Sequence, residues 1–364
     1  MSKKILIILK NSSGIGGAEL MIDEICSYYQ QTQKYECYIA IPGGTNSDHY
    51  QEKYGNVVNY NPNRLLQSTS RLLTFIKEKN LDIVYAHDVF ASILACFLKF
   101  GQMRNKKLVF ISHIHNNYGW YEKKSLKAFV FNLTMRHMNR VVVVSNYVKQ
   151  HFAFLDERNS TKINVVYNYL NKNYEKLDFN SLRQSGRIII GFCGRLSEEK
   201  NPQALISISK ILSEVHEIEH ELLFIGSGSL SDEIESECLR LKIPYKMTGF
   251  VDDPESFIRH CDVLVVPSRR EGFGRVIIEG LYLGKPVIAS KEGGIIDIDR
   301  LLNTPLLSLC DKEDYLQFAN EIQNQQQLQH MRKDEDYQKC RRLVMEHFSF
   351  RKFTDTMEVL YENC

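Results

Sequence analysis

Two cations and two carboxylates occur in short glycine-containing segments, each following an apolar run. Arg195 and Lys200 lie in Gly-Arg-Leu-Ser-Glu-Glu-Lys-Asn-Pro, and Glu271 and Glu279 lie in Glu-Gly-Phe-Gly-Arg-Val-Ile-Ile-Glu. Two cations in one loop can converge on a diphosphate, while carboxylates accept hydrogen bonds from sugar hydroxyls. Either cation alone would more often be an ordinary solvated side chain. Together, the four residues favour a site for a phosphorylated, hydroxyl-rich ligand.

A glycine-rich turn near the start of the chain is a second candidate. Gly14, Gly16 and Gly17 follow the apolar run Ile5–Leu9 and precede the helical pattern Glu19–Tyr29. Glycines let the backbone approach a ligand closely, and a helix N-terminus favours a phosphate. The spacing does not match the dinucleotide-binding fingerprint, so a simple tight turn is an equal alternative.

Three histidines end apolar runs in the first half of the chain. His87 ends one run, and His113 and His115 end the next, just before Asn116. We expect the alternating pair to point to opposite faces of their strand, so that only one of them, His113 or His115, faces a ligand. His87 is interpreted as structural or as part of the far side of the same site.

The elements that must position these residues form a regular alternation. Short β-branched runs, each followed by helical periodicity, are typical of strands buried on both faces of a parallel sheet. The predicted strands are Ile5–Leu9, Cys37–Ile41, Ile83–Ala86, Leu108–Ser112, Val141–Ser145, Val165–Tyr167, Ile188–Cys193, Glu221–Gly226, Lys246–Phe250, Val263–Pro267 and Val287–Ser290.

This alternation occurs twice, which predicts two doubly wound Rossmann-like α/β domains. We expect one domain over 1–180, a second over 181–345, and a C-terminal helix over 346–364 that packs back on the first domain. Ligands of such sheets bind outside the carboxyl ends of the strands. We therefore expect the two domains to face each other across a cleft that holds the ligand.

The composition fits a folded, reduced protein. The chain has 364 residues, of which 43% are hydrophobic and 25% charged, so disordered and collagen-like classes are excluded. Its nine cysteines include no Cys-x-x-Cys pair, which favours reduced thiols in a cytoplasmic protein. The N-terminal run resembles a first strand rather than a signal peptide. No run is long enough to span a membrane, so any membrane contact is expected to be peripheral.

Charge is unevenly distributed along the chain. The net charge is +2, but residues 99–140 contain nine basic residues and one acidic residue, which leaves the rest at −6. Aromatic residues (Phe97, Phe100, Trp120, Tyr121, Phe129 and Phe131) lie in or next to this basic region. The pattern favours contact with an anionic membrane or a lipid diphosphate. The alternative is a solvated helix face; nucleic acid binding is disfavoured because no known binding module accompanies the basic region.

The combined motifs resemble glycosyltransferase family 4, whose members are retaining enzymes of the two-domain GT-B fold. The segments that carry the resemblance cover nearly the whole chain, and include Gly194–Pro202, Glu271–Glu279, Phe224–Gly228, Gly249–Asp253 and Gly284–Ser290. One departure follows Gly294, where the family commonly has a glutamate and Gly-x-Leu-Val. Here Ile-Ile-Asp-Ile-Asp leads to Asn303, so the edge of the donor site is in doubt.

The resemblance implies a role for each site residue. Arg195 and Lys200 would hold the donor diphosphate, Glu271 would contact the transferred sugar, and Glu279 would take the ribose. The donor site would comprise Gly16, Gly17, Gly194, Arg195, Lys200, Gly228, Phe250, Val251, Glu271, Gly272, Phe273, Gly274, Arg275 and Glu279. His113 would join Arg195, Lys200 and Glu271 in catalysis. The acceptor side would comprise Gly14, His87, His115 and Asn116.

The resemblance also implies the reaction. We expect a hexose to pass from a nucleotide-diphosphate sugar, most simply a UDP-sugar, to a hydroxyl of a glycan or lipid-linked oligosaccharide. Surface polysaccharide synthesis, capsule or lipopolysaccharide, is the implied setting, at the inner face of the cytoplasmic membrane. We expect no cofactor and no metal, since Asp297 and Asp299 have a spacing that is common by chance. The alternatives are a nucleotide-sugar 2-epimerase of the same fold and a non-catalytic carbohydrate-binding protein.

Overall fold

The computed structural model describes residues 2–10, 17–101, 108–116, 125–153, 161–170, 187–329 and 331–363. The chain divides into two compact units. Unit 1 comprises Met1–Val166 and Thr354–Cys364, and unit 2 comprises Tyr167–Phe353. This division precedes the expected boundary at 180/181, which lies outside the described residues. The expected C-terminal segment 346–364 is itself divided, with only its last part in unit 1.

Unit 1 contains a seven-stranded parallel sheet in the order β3-β2-β1-β4-β5-β6-β7. Its strands are β1 Lys3–Ile8, β2 Tyr35–Pro42, β3 Val57–Tyr60, β4 Ile83–His87, β5 Val109–Ile114, β6 Arg140–Val143 and β7 Ile163–Val165. Its helices are α1 Gly17–Thr32, α2 Thr45–Tyr54, α3 Leu65–Lys79, α4 Asp88–Gly101, α5 Leu126–His137 and α6 Asn146–Ala153.

Unit 2 repeats this arrangement with a six-stranded parallel sheet in the order β10-β9-β8-β11-β12-β13. Its strands are β8 Ile188–Cys193, β9 His220–Ile225, β10 Tyr245–Met247, β11 Val263–Val266, β12 Val287–Ser290 and β13 Leu307–Cys310. The remaining helices are α7 Ala204–Glu214, α8 Ser231–Leu241, α9 Pro254–Ile258, α10 Arg275–Tyr282, α11 Ile295–Leu302, α12 Tyr315–Gln329, α13 Asp334–Phe348 and α14 Phe350–Glu362.

The central strands confirm the expected class. Every residue of β4, β11 and β12 is buried, as strands must be when helices cover both faces of a parallel sheet. Both sheets have the Rossmann strand order, in which the second and third strands lie on one side of the first and the later strands on the other. The prediction of two doubly wound parallel-sheet domains is confirmed.

Helix α14 contributes to both units. Near its start, the rings of Phe350 and Phe353 both lie 4.8 Å from that of Tyr169 in unit 2. Near its end, the buried ring of Tyr361 packs edge-on against Tyr35 and Tyr85 of unit 1, with centroids 5.4 and 5.9 Å away. Tyr361 therefore belongs to the aromatic core of unit 1, which the segment Thr354–Cys364 joins.

The cysteines among the described residues are all free. Cys37 and Cys193 are half-buried and the other six are buried. Unit 1 holds Cys26, Cys37 and Cys96, and unit 2 holds Cys193, Cys238, Cys261, Cys310 and Cys340. Burial raises the pKa of the Cys261 and Cys310 thiols to about 12. Within the described part of the chain, no helix has both the length and the apolar character to cross a membrane.

Candidate functional site

The strongest candidate site lies at the carboxyl ends of β8 and β11 in unit 2. These strands are neighbours, and the strand order reverses between them. Ligands of doubly wound sheets bind in the crevice at this switch point. The loop after β8 carries Arg195 and Lys200, and the loop after β11 carries Glu271. The topology thus brings together residues that are 71 positions apart in the chain.

Two glycines of the loop after β9 pack closely against the backbone on either side of Arg195. A Cβ atom on Gly226 would lie 2.1 Å from the carbonyl oxygen of Gly194, and one on Gly228 would lie 2.2 Å from that of Leu196. The Leu196 amide donates a hydrogen bond of 3.0 Å to the Ser227 carbonyl. Only glycine permits this approach, so the loop after β9 fixes the turn that carries Arg195.

The two cations differ in their surroundings. Lys200 Nζ lies 2.7 Å from Glu271 Oε2, to which Ser268 Oγ also donates a hydrogen bond of 3.2 Å. Arg195 is exposed, and its guanidinium has no ion pair with any described residue. One cation is therefore held by a buried carboxylate, while the other is available to an anionic ligand.

Hydrogen bonds join the two loops directly. The Arg269 amide donates to the Glu199 carbonyl at 2.9 Å, and the buried Asn201 side chain donates from Nδ2 to the Pro267 carbonyl at 3.3 Å. On the other side, a Cβ on Gly293 would lie 1.8 Å from the Glu271 carbonyl oxygen. The Glu271 backbone is thus fixed from both directions.

The segment after Glu271 turns the chain into α10. Phe273 is buried, with its ring 5.4 Å from that of Phe348, and Gly274 adopts a left-handed φ of 97° immediately before the helix. Further along α10, Glu279 Oε1 lies 3.7 Å from Arg275 Nε, and both side chains are largely buried. The two glutamates therefore belong to one loop-helix segment, as the sequence predicts.

Glu255 is an ionisable residue that interacts electrostatically with Glu279 and that the sequence did not indicate. It lies in the first turn of α9, and its pKa is raised to about 7, mainly by burial, with the Glu279 carboxylate among the further causes. The signal available in the sequence was a carboxylate directly after Pro254, which by itself is typical of any helix start.

Phe250 and Val251 follow β10 at the same edge of the sheet. An antiparallel bridge between Gly226 and Gly249 places them beside the loop after β9. Phe250 is 61% exposed, whereas Val251 is half-buried. An exposed flat ring at this edge is suited to stacking against a planar ligand group.

The three histidines of unit 1 form one cluster, and the expectation that His113 and His115 point to opposite faces is wrong. Residues two apart on a strand share a face. His87 and His113 are paired across β4 and β5, and the rings of His113 and His115 lie 4.1 Å apart. His113 is fully buried and His115 is half-buried.

Hydrogen bonds hold this cluster together. His87 Nδ1 lies 2.8 Å from His115 Nε2, and His113 Nδ1 lies 2.5 Å from the Tyr85 hydroxyl. The His115 amide donates to Asp88 Oδ1 at 3.3 Å. Burial lowers the pKa of all three imidazoles, so the rings are neutral near pH 7.

Two groups of residues carry side chains of the kinds that bind metals. The ligand atoms of His87, His113 and His115 lie within 4.8 Å of one another, and three neutral imidazoles are suitable ligands for a transition metal. Two of these rings already hydrogen-bond to each other. Asp297 and Asp299 lie two apart on α11 and so do not share a helix face.

The remaining predicted residues belong to unit 1. Gly14 and Gly16 lie outside the described residues, and Gly17 begins α1. Asn116 is half-buried and follows β5 just beyond His115. The parts of this candidate region that can be described are therefore the start of α1 and the histidine cluster.

Comparison with known proteins agrees with this geometry. Residues 15–173 match Glycosyltransferase Family 4, and residues 173–335 match Glycosyl transferases group 1. The chain is 30% identical over 271 residues to the glycosyltransferase MJ1178 of Methanocaldococcus jannaschii, covering 69% of this chain and 70% of that protein. The chain belongs to glycosyltransferase family 4.

Two bacterial proteins are also similar to this family 4 glycosyltransferase. This chain is 27% identical over 236 residues to the O-antigen biosynthesis glycosyltransferase WclY of Escherichia coli, covering 58% of this chain and 62% of WclY. It is 29% identical over 204 residues to the capsular polysaccharide biosynthesis glycosyltransferase CapM of Staphylococcus aureus, covering 55% of this chain and 50% of CapM.

A solved structure shares the fold. The crystal structure of Anabaena Alr3699/HepE in complex with UDP has a TM-score of 0.83 at 20% identity, covering 99% of this chain and 100% of that one. At this level of identity the likeness concerns the fold, which is GT-B. The resemblance found in the sequence motifs is thereby confirmed for both family and fold.

Proposed function

We propose that this glycosyltransferase moves a hexose from a nucleotide-diphosphate sugar to a hydroxyl group, with retention at the anomeric carbon. The observation that carries the proposal is the Lys200–Glu271 pair beside the exposed Arg195, at the switch point of the unit 2 sheet. Cations there suit a diphosphate, and a carboxylate suits sugar hydroxyls. A UDP-sugar is the favoured donor because the fold neighbour HepE was crystallised with UDP and with UDP-glucose.

Each part of the site has a place in this proposal. Lys200 and Arg195 bind the diphosphate, and Glu271 accepts hydrogen bonds from the transferred sugar. The backbone amides of Phe273–Arg275 lie near the sugar and the diphosphate, as is favourable at a helix start. Glu279 binds the ribose hydroxyls, while Gly228, Phe250 and Val251 border the base.

The proposed reaction occurs on one face of the sugar. The acceptor hydroxyl oxygen forms the new bond to the anomeric carbon as the bond to the diphosphate breaks, and the hydroxyl proton passes to the leaving diphosphate. Negative charge grows on the leaving group during this step. Lys200 and Arg195 stabilise that charge, which is why we propose a reaction independent of metal.

The histidine cluster modifies the expected assignment of His113. We propose that the half-buried His115 approaches the ligand, whereas the fully buried His113 supports the cluster from behind. The bond between His87 Nδ1 and His115 Nε2 would then fix the orientation of the His115 ring.

The acceptor is proposed to be a glycan or a lipid-linked oligosaccharide of a surface polysaccharide. WclY and CapM, which are named for O-antigen and capsule synthesis, support this setting. A lipid-linked acceptor would place the enzyme at the cytoplasmic face of the membrane. The excess of basic residues over 99–140 supports peripheral contact there.

The test is Lys200→Ala, assayed for transfer from a panel of nucleotide sugars. We expect kcat to fall by about 10²–10³-fold, the usual effect of removing one group that stabilises transition-state charge. Lys246→Ala is the matched control, because Lys246 is 72% exposed in a surface pair with Glu221. Arg195→Ala provides a second variant, since this exposed side chain forms no ion pair with a residue that the structure describes.

Unchanged turnover in both the Lys200 and Arg195 variants would overturn the proposal. The configuration of the product, determined by NMR, tests retention. Product formation that does not need an acceptor would indicate the 2-epimerase alternative. Donor binding without turnover of any donor, with a full acceptor panel present, would indicate a carbohydrate-binding protein.

A further inference from the structure

Helix α5 has apolar residues on two opposite faces. Ala128, Phe131 and Met135 are buried against unit 1, so Phe131 is a core residue rather than part of the surface. Four other apolar side chains, spaced three and four apart along one stripe, are exposed: Leu126, Phe129, Val130 and Leu133. A helix that only covers a core has one apolar face. The second face of α5 therefore needs a different explanation.

Helix α4 extends this exposed face. Phe97 and Phe100 are exposed and lie three residues apart on α4. The ring of Phe100 packs 4.7 Å from that of His137, the last residue of α5. We call the six exposed residues of α4 and α5 the α5 surface. A grouped set of this kind differs from the scattered single hydrophobic residues that are normal on a protein.

Apart from Phe97, the residues of the α5 surface lie within the most basic part of the sequence, residues 99–140, which carry +8. Lys127, on α5 itself, is exposed and forms no ion pair with any described residue. Arg140 donates only to the carbonyl oxygens of Asn139 and Asn363, so its described contacts are with neutral groups. Exposed apolar side chains thus occur in the same part of the sequence as Lys127 and Arg140, which have no ion pair with a described residue.

The apolar side chains and the positive charge together indicate which partner binds the α5 surface. A second copy of the chain would place the same basic region against itself in a two-fold dimer, and the like charges would repel. An anionic bilayer complements both properties, because it attracts basic residues and accepts apolar side chains at the headgroup boundary.

We propose that the α5 surface is a membrane-docking surface that inserts into an anionic bilayer. Leu126, Phe129, Val130 and Leu133 enter the boundary between headgroups and acyl chains, and Lys127, exposed on the same helix, contacts lipid phosphates. The inference rests on the proposed function only in one respect, namely that a lipid-linked acceptor gives docking a purpose. Docking itself follows from the exposed face and its charge.

The experiment is co-flotation of the full chain with vesicles of phosphatidylcholine, with and without phosphatidylglycerol. We expect the wild type to float with the anionic vesicles only, and raised salt to weaken binding. The double variant Phe129→Ser/Leu133→Ser should reduce partitioning about tenfold or more, since each lost 1.4 kcal/mol is tenfold. Leu66→Ser/Leu316→Ser, which replaces two apolar residues exposed elsewhere, should float like the wild type.

Three results would overturn docking: no flotation of the wild type, equal flotation with neutral vesicles, or full flotation of the Phe129/Leu133 variant. A dimer that this variant converts to a monomer in sedimentation would make a second copy the occupant instead. Transfer to a water-soluble acceptor is measured on the same variant and should be unchanged. Failure of the proposed function, shown by the Lys200 and Arg195 variants, is therefore distinguishable from failure of docking.

Discussion

Glu255 shows how a single ionisable group links the candidate site to stability. Its folded pKa of about 7 lies above that of an unfolded glutamate, about 4.3. Between these values the folded chain binds a proton that the unfolded chain has lost. The contribution of Glu255 to the free energy of unfolding is therefore complete below the unfolded pKa of this carboxyl. It is lost as pH rises through the folded pKa.

Replacing Glu255 with Gln should remove this dependence. At about pH 8 we expect Glu255→Gln to melt at a higher temperature than the wild type, because no half-buried carboxylate must ionise, and the difference should shrink towards about pH 5. Thermal unfolding across this range is the measurement. Glu219→Gln, at a side chain that is 80% exposed, should give no such trend. A constant difference at all pH values would contradict the assignment.

At the residue scale, the sequence indicated the types but not all the contacts of the site. Arg195, Lys200, Glu271 and Glu279 follow strands as predicted, because motif spacing and topology together decide which strand ends they occupy. The Lys200–Glu271 ion pair joins two strands distant in sequence, so no local pattern shows it. The histidine prediction failed for a different reason, since it misjudged which residues of a strand share a face.

At the scale of elements, the buried central strands were predictable and the edges were not. Ile188–Cys193 and Val287–Ser290 match their predicted bounds, because uninterrupted β-branched runs are distinctive. The strands β3 and β13 were missed. Each has four residues, lies at the edge of its sheet and includes residues that are not buried. Their pairing depends on a neighbour rather than on their own sequence.

Helix α12 gives the prediction at this scale. Phe318, Ala319 and Ile322 lie on its buried stripe and join the core that surrounds β8, β9 and β11. Phe318→Ala should lower the free energy of unfolding of unit 2 by about 3–5 kcal/mol, since it removes a ring from a packed interior. Leu316→Ala, at an exposed position on the same helix, should change it by less than about 0.5 kcal/mol.

The free energy of unfolding of both variants is measured by urea unfolding, with hydrogen exchange in the unit 2 strands as the readout. Equal effects of the two substitutions would show that α12 does not contribute to the core through its buried stripe.

At the scale of the whole molecule, the chain ends in a unit that it left nearly two hundred residues earlier. The Tyr361 ring packs against Tyr29, Tyr35 and Tyr85, while Val359 on the same helix is exposed. Tyr361→Ala should destabilise unit 1 by about 3 kcal/mol. Val359→Ala should have little effect.

Hydrogen exchange with mass spectrometry distinguishes the two units in this experiment. Protection should fall in the strands of unit 1 in the Tyr361 variant and stay unchanged in those of unit 2. A fall of the same size in both units would mean that they unfold as one.

The buried cysteines can report the local opening of each unit. An alkylating reagent attacks the thiolate, so a buried thiol with a raised pKa reacts only while its surroundings are open. Cys26 and Cys96 report openings in unit 1, and Cys261 and Cys310 those in unit 2. The mass added to each cysteine-containing peptide over time then gives a separate opening rate for each unit, without any introduced label.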